Sequence, residues 1–262
     1  EGPGAEDTAW ARAVLDSADR ALERAAELAA GTRQGDSARM YRVFTRGERT
    51  VLAWEQGGVP GATETWANLP PAVRLAPVLE ELGENLLRAC PHLGVLLTAR
   101  ETDTYAAWYL RFARGLRPDL LIVPLALWRT DSVFRRRVVA EARPPGGKGG
   151  GTRSSETSGD GSLRGFAERR PLCASQGFER APATRPRTRW LGRPLVWVAG
   201  RTGGDDRVHP RDFVFAALRL ALDEHEPWAR PAIEVYRRAA AQTRALCESF
   251  AVYKLTVEVG CR

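Results

Sequence analysis

The stretch from Leu93 to Arg137 decides the fold and reads LGVLLTARETDTYAAWYLRFARGLRPDLLIVPLALWRTDSVFRRR. Residues 94–99 form a short, continuously apolar run, which is typical of a strand buried on both faces. A helical pattern of apolar and aromatic residues follows and ends at Gly115, and residues 120–127 form a second apolar run. A strand, a helix and a second strand with short connections predict a parallel βαβ unit with a right-handed crossover.

Helices are predicted on both sides of this unit. Residues 8–30 carry apolar side chains at helical spacing and predict an amphipathic packing helix. A second helix is expected over 72–89, and a third over 132–142. Thr130 or Asp131 can cap the first turn of that third helix.

The remaining segments predict further strands and helices. Two short runs rich in β-prone residues, 41–44 and 50–54, predict a hairpin, and 57–71 is rich in Gly and Pro and is expected to be loop. An apolar run at 194–200 predicts a third core strand. Helices are expected over 210–222 and from 231 to about 247, and an edge strand is expected over 251–259.

Positive charge is concentrated in one segment. The chain has 262 residues and a formal net charge of +7. Residues 143–193 contain 11 basic and 4 acidic residues, whereas the rest of the chain contains 28 of each. The segment combines a Gly/Pro-rich run with interleaved Arg and Pro, a composition typical of chains that are disordered in isolation. We therefore expect a long irregular basic insertion that becomes ordered against a partner.

These patterns together predict an α/β fold. It is a three-layer domain with a small, mainly parallel sheet, an N-terminal helix and hairpin, and the long irregular basic insertion. The expected units are 1–71 for the helix and hairpin, 72–142 for the βαβ core, 143–193 for the insertion, and 194–262 for the last core strand and C-terminal helices.

Composition also bears on location. No run of about 18 apolar residues is present, so no membrane-spanning helix is expected. The sequence begins at Glu1 rather than at Met, as in a chain that has lost a signal peptide, although a trimmed chain would look the same.

The cysteines leave two alternatives open. They are Cys90, Cys173, Cys247 and Cys261. One or two disulfides in an oxidising compartment and buried free thiols are both compatible with this even number. No CxxC pair is present and the histidines are far apart, so no zinc site is predicted.

Four short motifs occur in order within residues 83–137. They are Gly83-Glu84-Asn85-Leu86-Leu87, Leu96-Leu97-Thr98, the run ETDTYAAWY from Glu101 to Tyr109, and Gly115-Leu116-Arg117-Pro118-Asp119. In order and spacing they resemble the soluble region that follows the membrane helices in bacterial protein O-mannosyltransferase-like membrane proteins.

The motifs also depart from that family. Glu101-Thr102 stands where the family has Asp-Asn before Asp-Thr, and Ala106-Ala107 stands where it has Pro-Leu. The membrane-embedded transferase portion has no counterpart in this sequence. The resemblance therefore implies an extracytoplasmic accessory module rather than a glycosyltransferase by itself.

Open α/β sheets bind ligands beyond the carboxyl ends of their strands. The expected strand ends at 100–103, 128–131 and 201–209 would gather one group of polar side chains. Its members are Glu101, Asp103, Asp131, Asp205, Asp206 and His209. Such a group can bind a cation, a sugar or a phosphate-bearing ligand, or carry out acid–base chemistry. The structural alternative is that Asp103 and Asp131 cap helices and the other aspartates form a turn.

Other chemical motifs are sparse. The run Gly200–Gly204 is similar to a phosphate-binding loop but lacks GxGxxG and GxxxxGK[ST], so a plain turn is the alternative. Trp108 and Tyr109 can pack in the core or stack on a sugar. No GxSxG, HExxH or Cys/His nucleophile pair is present, so no catalytic residue, metal or cofactor is predicted.

The basic insertion contains the residues expected to bind a partner. They are Lys148, Arg153, Arg164, Arg169, Arg170, Phe178, Arg180, Arg185, Arg187, Arg189 and Trp190. Arginines interleaved with prolines favour an acidic protein face or lipid headgroups over nucleic acid.

Three hypotheses about function follow. The first is a non-enzymatic, extracytoplasmic (periplasmic) interaction or scaffold domain, peripheral to the membrane, that docks on a membrane protein or multisubunit membrane complex. The second is a carbohydrate- or phosphate-ligand-binding module or an enzyme at the strand ends. The third is a cytosolic nucleic-acid binder, which predicts strongly salt-dependent binding and four reduced thiols.

Overall fold

The structure is a computed structural model that describes residues 5–67, 69–142, 163, 170–183, 189–199 and 208–261. One open sheet of five strands has the order β2-β1-β3-β5-β4. The strands are β1 Val95–Thr98, β2 Leu121–Pro124, β3 Leu172–Ser175, β4 Leu191–Arg193 and β5 Val196–Ala199. The β1 strand pairs in parallel with β2 and β3, whereas β5 pairs antiparallel with β3 and β4. Four of the five strands therefore run in one direction, which confirms a mainly parallel α/β sheet.

Helices account for most of the remaining described residues. They are α1 Ala5–Leu28, α2 Arg33–Ala67, α3 Pro77–Ala89, α4 Glu101–Trp108, α5 Leu125–Thr130, α6 Ser132–Glu141, α7 Ala216–Asp223, α8 Ala229–Gln242 and α9 Leu246–Val252. A π-helical turn, Tyr109–Ala113, extends α4, and a 3₁₀ turn, Pro210–Asp212, precedes α7. The described helices include none that is both long and apolar enough to cross a bilayer.

The core strands form because their apolar runs are covered on both faces. Every residue of β1, β2, β3 and β5 is buried. Parallel strands need this double cover, and here α4 connects β1 to β2 and packs against its neighbours α2 and α3. The indole N–H of Trp108 donates to the carbonyl of Ile122 at 3.3 Å, which fixes α4 on β2.

The predicted hairpin over 41–54 is wrong, and the loop predicted over 57–71 is wrong as far as Ala67, whereas residues 69–71 are outside any helix or strand. Residues 41–67 belong to α2, which has one break at Gly58, where φ is 61°. Val43, Gly47, Thr50 and Trp54 are all buried on one face of this helix. That spacing of four, three and four residues is helical, and over this longer window it overrides the short β-prone runs.

The prediction of an irregular insertion is wrong for the described part of 143–193. Its Leu172–Ser175 segment is β3, which lies between β1 and β5, and its Leu191–Arg193 segment is the edge strand β4. The short apolar run of β3 is hard to recognise inside an Arg/Pro-rich composition, because only pairing with β1 makes it a buried strand. The strand predicted at 194–200 is present as β5, but it runs antiparallel to β3.

The edge strand predicted over 251–259 is also wrong. The α9 helix continues to Val252, and turns follow it. Val252 and Val257, two of the apolar residues in the predicted strand, are 76% and 86% exposed. Leu255 and Val259 are buried instead. Their spacing of four residues follows the turns rather than the period of two that a strand requires.

All four cysteines form disulfides, which decides between the two alternatives. Cys90 at the end of α3 is bonded to Cys173 in β3, across 83 residues of sequence. Cys247 in α9 is bonded to Cys261 across 14 residues. Disulfides persist in oxidising compartments and are rare where glutathione keeps thiols reduced. The pairing therefore fits an oxidising environment.

The α3 helix holds the C-terminal helices in place through two polar side chains. Asn85 donates to the carbonyl of Val214 at 2.6 Å and accepts the Val214 N–H at 3.3 Å. The Glu81 carboxylate accepts the N–H groups of Ala217 (2.7 Å) and Leu218 (3.0 Å). Because the first N–H groups of a helix have no partner within it, Glu81 acts as a distant N-cap for α7.

Candidate functional site

The sheet topology marks one position where a ligand is expected. The chain leaves β1 toward β2 on one side, and it later returns to place β3 on the other side of β1. The connections therefore diverge at the carboxyl ends of β1 and β3, and open α/β sheets bind ligands at such a switch point. Thr98 ends β1, and Ser175 ends β3.

A buried polar group fills this position. Asp103, on the first turn of α4, is 1% exposed, and Thr98 and Ser175 are equally buried. The Asp103 carboxylate accepts the N–H groups of Ala99 at 3.0 Å and Arg100 at 2.7 Å. It also accepts a hydrogen bond from the Ser175 hydroxyl. Asp103 thus caps the start of α4 and connects it to the end of β3.

Burial and hydrogen bonding act in opposite directions on Asp103. Burial in the protein interior raises the pKa of Asp103, and the bonds from Ala99, Arg100 and Ser175 partly offset that rise. The Thr98 and Thr104 hydroxyls lie 2.7 Å apart and form a hydrogen bond of their own. Asp103, Ser175, Thr98 and Thr104 are therefore buried, and each has a hydrogen-bond partner within the fold.

Residues 175–177 complete this group, and sequence reasoning missed them. A Cβ atom on Gly177 would lie 2.8 Å from Asp103 Oδ2 and 3.1 Å from Ser175 Oγ, so the position has no room for a side chain. The Gly177 N–H donates to Ser175 Oγ at 2.9 Å. Gln176 is fully buried and donates to the carbonyl of Arg193 at 3.1 Å, while its Oε1 has no partner. In the sequence, the short apolar run Leu172–Ser175 followed by Gln176-Gly177 is the pattern that could indicate a strand ending in a tight turn here.

The predicted Asp131 site is a helix cap. The Asp131 carboxylate accepts the N–H groups of Val133 at 2.8 Å and Phe134 at 3.0 Å at the start of α6. It also shares a hydrogen bond with Glu55 of α2. Burial, together with this contact, raises the pKa of Glu55 to about 8. The two carboxyl groups are therefore joined by a proton near neutral pH.

The other predicted members of the strand-end group lie apart from it or outside the described residues. Glu101 is exposed on the first turn of α4. His209 is exposed before the 3₁₀ turn, where its Nδ1 accepts the Arg211 N–H at 3.2 Å. Asp205, Asp206 and the Gly200–Gly204 loop lie outside the described residues.

The structure thus places the predicted residues in separate surroundings. Asp103, Asp131 and His209 have three different sets of hydrogen-bond partners. The structural alternative is confirmed for Asp103 and Asp131, which cap α4 and α6. Ligand binding stays a prediction for Glu101 and His209. Over the described ranges, no group of three His, Cys, Asp or Glu residues is placed to hold a metal ion.

A cavity of about 420 Å³ lies away from the strand ends. It is bounded by the first turns of α2, the segment before α3, and the α7–α8 connection. Met40, Leu75 and Trp228 provide apolar walls, while its charged lining combines three arginines with three acidic residues. The volume is within the range of small-molecule pockets, but the balanced charges of the lining favour neither an anionic nor a cationic ligand.

The aromatic pair on α4 packs in the core. Trp108 is fully buried and stacks on Trp54 with the ring centroids 5.9 Å apart. Tyr109 is buried against Trp66, with the ring centroids 6.0 Å apart. The structure therefore supports core packing rather than a sugar-stacking surface for these two side chains.

The predicted partner-binding residues divide into three groups. Arg180 and Arg189 are exposed, and the half-buried Trp190 lies beside them and donates its indole N–H to Pro182 O at 2.9 Å. Phe178 packs against the core, and partial burial lowers the pKa of Arg170. The residues outside the described ranges are Lys148, Arg153, Arg164, Arg169, Arg185 and Arg187.

Fold and site together define an α/β domain with a mainly parallel sheet and two disulfides. Its polar side chains at the ends of β1 and β3 are buried. Comparisons with family models, with curated proteins and with solved structures find no match to this chain. The resemblance of residues 83–137 to the soluble region of protein O-mannosyltransferase-like proteins therefore stays a prediction.

Proposed function

We propose that this chain is a non-enzymatic, extracytoplasmic interaction domain that docks on a membrane protein or membrane complex through its basic segment, residues 143–193. The observation that carries the proposal is the exposure of Arg180 and Arg189 on a fixed frame. That frame is the antiparallel pair β3 and β5 with the edge strand β4, tied to α3 by the Cys90–Cys173 disulfide.

The state of the switch point supports a non-enzymatic role. A catalytic carboxylate must reach a substrate, and Asp103 is buried and already accepts three hydrogen bonds. Asp131 is likewise used as a cap. The two aspartates that follow β1 and β2 are thus used to cap helices, which favours binding over catalysis as the activity of the described surface.

The disulfides and the charge distribution support the proposed location and partner. Two disulfides fit an oxidising compartment such as the periplasm. The net positive charge of the segment favours an acidic protein face or anionic lipid headgroups as its partner. Such attraction weakens as salt screens the charges.

A charge-reversal experiment tests the proposal. Deleting the whole segment would remove the central strand β3, so the test uses Arg180→Glu and Arg189→Glu in one variant. A photo-crosslinking residue at position 179 should capture a membrane protein in the native host for the wild-type chain. Capture should fall at least about tenfold in the variant, since each reversed charge replaces attraction by repulsion.

The matched control reverses Arg136 and Arg244, which are also exposed and change the net charge by the same amount. This control should retain capture. Flotation with phosphatidylglycerol vesicles, compared with phosphatidylcholine vesicles, shows whether lipid alone explains the binding. Equal capture by the wild-type chain and the Arg180/Arg189 variant would refute the role of the segment.

A further inference from the structure

The α1 helix has two apolar faces, and only one of them is covered. Leu15, Leu22 and Ala26 lie on the face that packs against α2. Trp10 and Leu28 lie on another face and are 71% and 72% exposed. At about 100° per residue, the exposed stripe lies roughly 120° around the helix axis from the covered one.

The side chains of the exposed stripe are ordered by size. Trp10 and Val14 are bulky and occupy its N-terminal half, and Val14 is 45% exposed. Ser17 and Ala21 are small, exposed, and occupy the C-terminal half. The spacing of four, three and four residues keeps all of them on one side of α1. Over residues 10–21 the stripe is therefore bulky at its N-terminal end and has room at its C-terminal end, and the large Leu28 lies about two turns beyond Ala21.

One flank of the stripe carries an acidic residue near its N-terminal end and a basic residue near its C-terminal end. Glu6 and Arg24 are both exposed, and 18 residues of α-helix separate them by five full turns. They therefore lie on the same flank, one near each end. Arg24 has an ion pair with Glu27 at 3.3 Å, but both side chains are more than half exposed. Such a surface pair contributes little, so Arg24 can change partners.

We propose that the exposed face of α1 binds the same face of a second copy of this chain, with the two α1 helices antiparallel. An antiparallel two-fold pair places Trp10 of each copy over Ala21 of the other and Val14 over Ser17. In such a pair each flank meets itself, so Glu6 of one copy faces Arg24 of the other. Because the pair is symmetric, each contact between a large and a small side chain, and each contact between Glu6 and Arg24, occurs twice.

Other arrangements satisfy these features less well. A parallel two-fold pair would place Trp10 against Trp10, and it would set each flank against the opposite flank of the other copy, so Glu6 and Arg24 would not face each other. A partner helix 8–10 Å from α1 on the exposed side would lie roughly 15 Å from α2, which leaves room for it. Trp10 is 71% exposed, so the two copies would together bury roughly 210–360 Å² of Trp10 surface. Stable interfaces bury about 1,200 Å² or more, so the expected dimer is weak and depends on concentration.

Sedimentation equilibrium over the micromolar range measures the proposed dimer directly. The wild-type chain should show a reversible monomer–dimer equilibrium. Trp10→Glu should be monomeric throughout, with an unchanged circular-dichroism melting curve because the side chain is mostly exposed. The control Val257→Glu changes a side chain that is 86% exposed elsewhere, and it should dimerise normally.

A charge swap tests the antiparallel register. Glu6→Arg and Arg24→Glu should each raise the dissociation constant about tenfold, because two symmetric pairs of about 0.2–1 kcal/mol become repulsive. The double variant should return to the wild-type constant. A monomeric wild-type chain, or a Trp10→Glu dimer of unchanged affinity, would overturn the proposal, and failure of the double variant to recover would overturn the register. Reversing Arg180 and Arg189 should leave dimerisation unchanged, which separates this proposal from the partner-docking function.

Discussion

Gly177 is the residue on which the geometry of the switch point depends most directly. Its position next to the Asp103 carboxylate and the Ser175 hydroxyl leaves no space for a methyl group. The same residue is held on its other side by Arg238, whose guanidinium donates to the Gly177 carbonyl at 3.0 Å. The ends of β1 and β3 are thus joined through a contact that only glycine permits.

Replacing Gly177 with alanine should therefore destabilise the fold. The added methyl group has to push Asp103 away from the N–H groups that it accepts, and overpacking of this kind costs about 1–3 kcal/mol. The free energy of unfolding in urea measures the effect. Gly192→Ala is the control, since no atom lies within 4 Å of the position that its Cβ would occupy. If the two variants unfold at the same urea concentration, the crowding argument is wrong.

At the scale of secondary-structure elements, α2 and α6 meet through paired carboxyl groups and backbone contacts. Arg137 donates to the carbonyl of Gln56 at 2.8 Å, and Glu141 accepts the Val59 N–H at 3.1 Å. Beside these contacts, protonated Glu55 donates to Asp131, the cap of α6. The α2–α6 junction is therefore stabilised by a proton on Glu55.

The stability of this junction should fall as pH rises toward 8. Glu55 has a folded-state pKa of about 8, above its unfolded value, so its contribution is complete below the unfolded pKa and is lost as pH rises through about 8. Asp131 has a lowered pKa, so its contribution to stability is lost in acid, as pH falls through that pKa. Glu55→Gln retains a donor toward Asp131 and should flatten the decline in urea-unfolding free energy between neutral and mildly alkaline pH.

Other titrating groups require a matched control for that experiment. Glu64→Gln removes an exposed carboxyl group from the same helix and should keep the wild-type pH dependence. Burial also raises the pKa of Glu81, to about 7, and this group contributes a decline of the same sign in all variants. Parallel pH profiles for Glu55→Gln and the wild type would show that the proton does not stabilise the junction.

The sequence predicts an element correctly where its apolar pattern is long enough to distinguish a helix from a strand. The apolar runs of β1 and β2 were found because α4 lies between them with a clear helical pattern. The sequence predicts a hairpin within α2 because the short runs 41–44 and 50–54 are rich in β-prone residues. Only the stripe from Val43 to Trp54 shows the helical period.

The roles of candidate-site residues could be predicted only where the residue and its hydrogen-bond partners lie close together in the sequence. Asp103 and Asp131 precede helical patterns, so capping was an available alternative, and the structure confirms it. Ser175 and Gly177 could not be assigned, because the neighbour of β1 in the sheet is fixed by pairing between residues far apart in sequence. Strand order of this kind leaves little trace in local composition.

At the scale of the whole molecule, the Cys90–Cys173 bond links the beginning and the end of the parallel sheet. The residues between these cysteines include β1, β2 and the helices α4, α5 and α6. The other disulfide closes only the C-terminal turns around α9. A cross-link stabilises mainly by restricting the unfolded chain, and the restriction grows with the length of the closed loop.

The two disulfides should therefore differ in their contribution to stability. Cys90→Ala with Cys173→Ala should lower the free energy of unfolding by about 4–5 kcal/mol, and Cys247→Ala with Cys261→Ala by about 3 kcal/mol. Urea unfolding under non-oxidising, metal-free conditions measures both losses, and reduced wild-type chain should match the four-alanine variant. An equal or larger loss for the C-terminal pair would mean that native-state packing, rather than restriction of the unfolded chain, decides what each disulfide contributes.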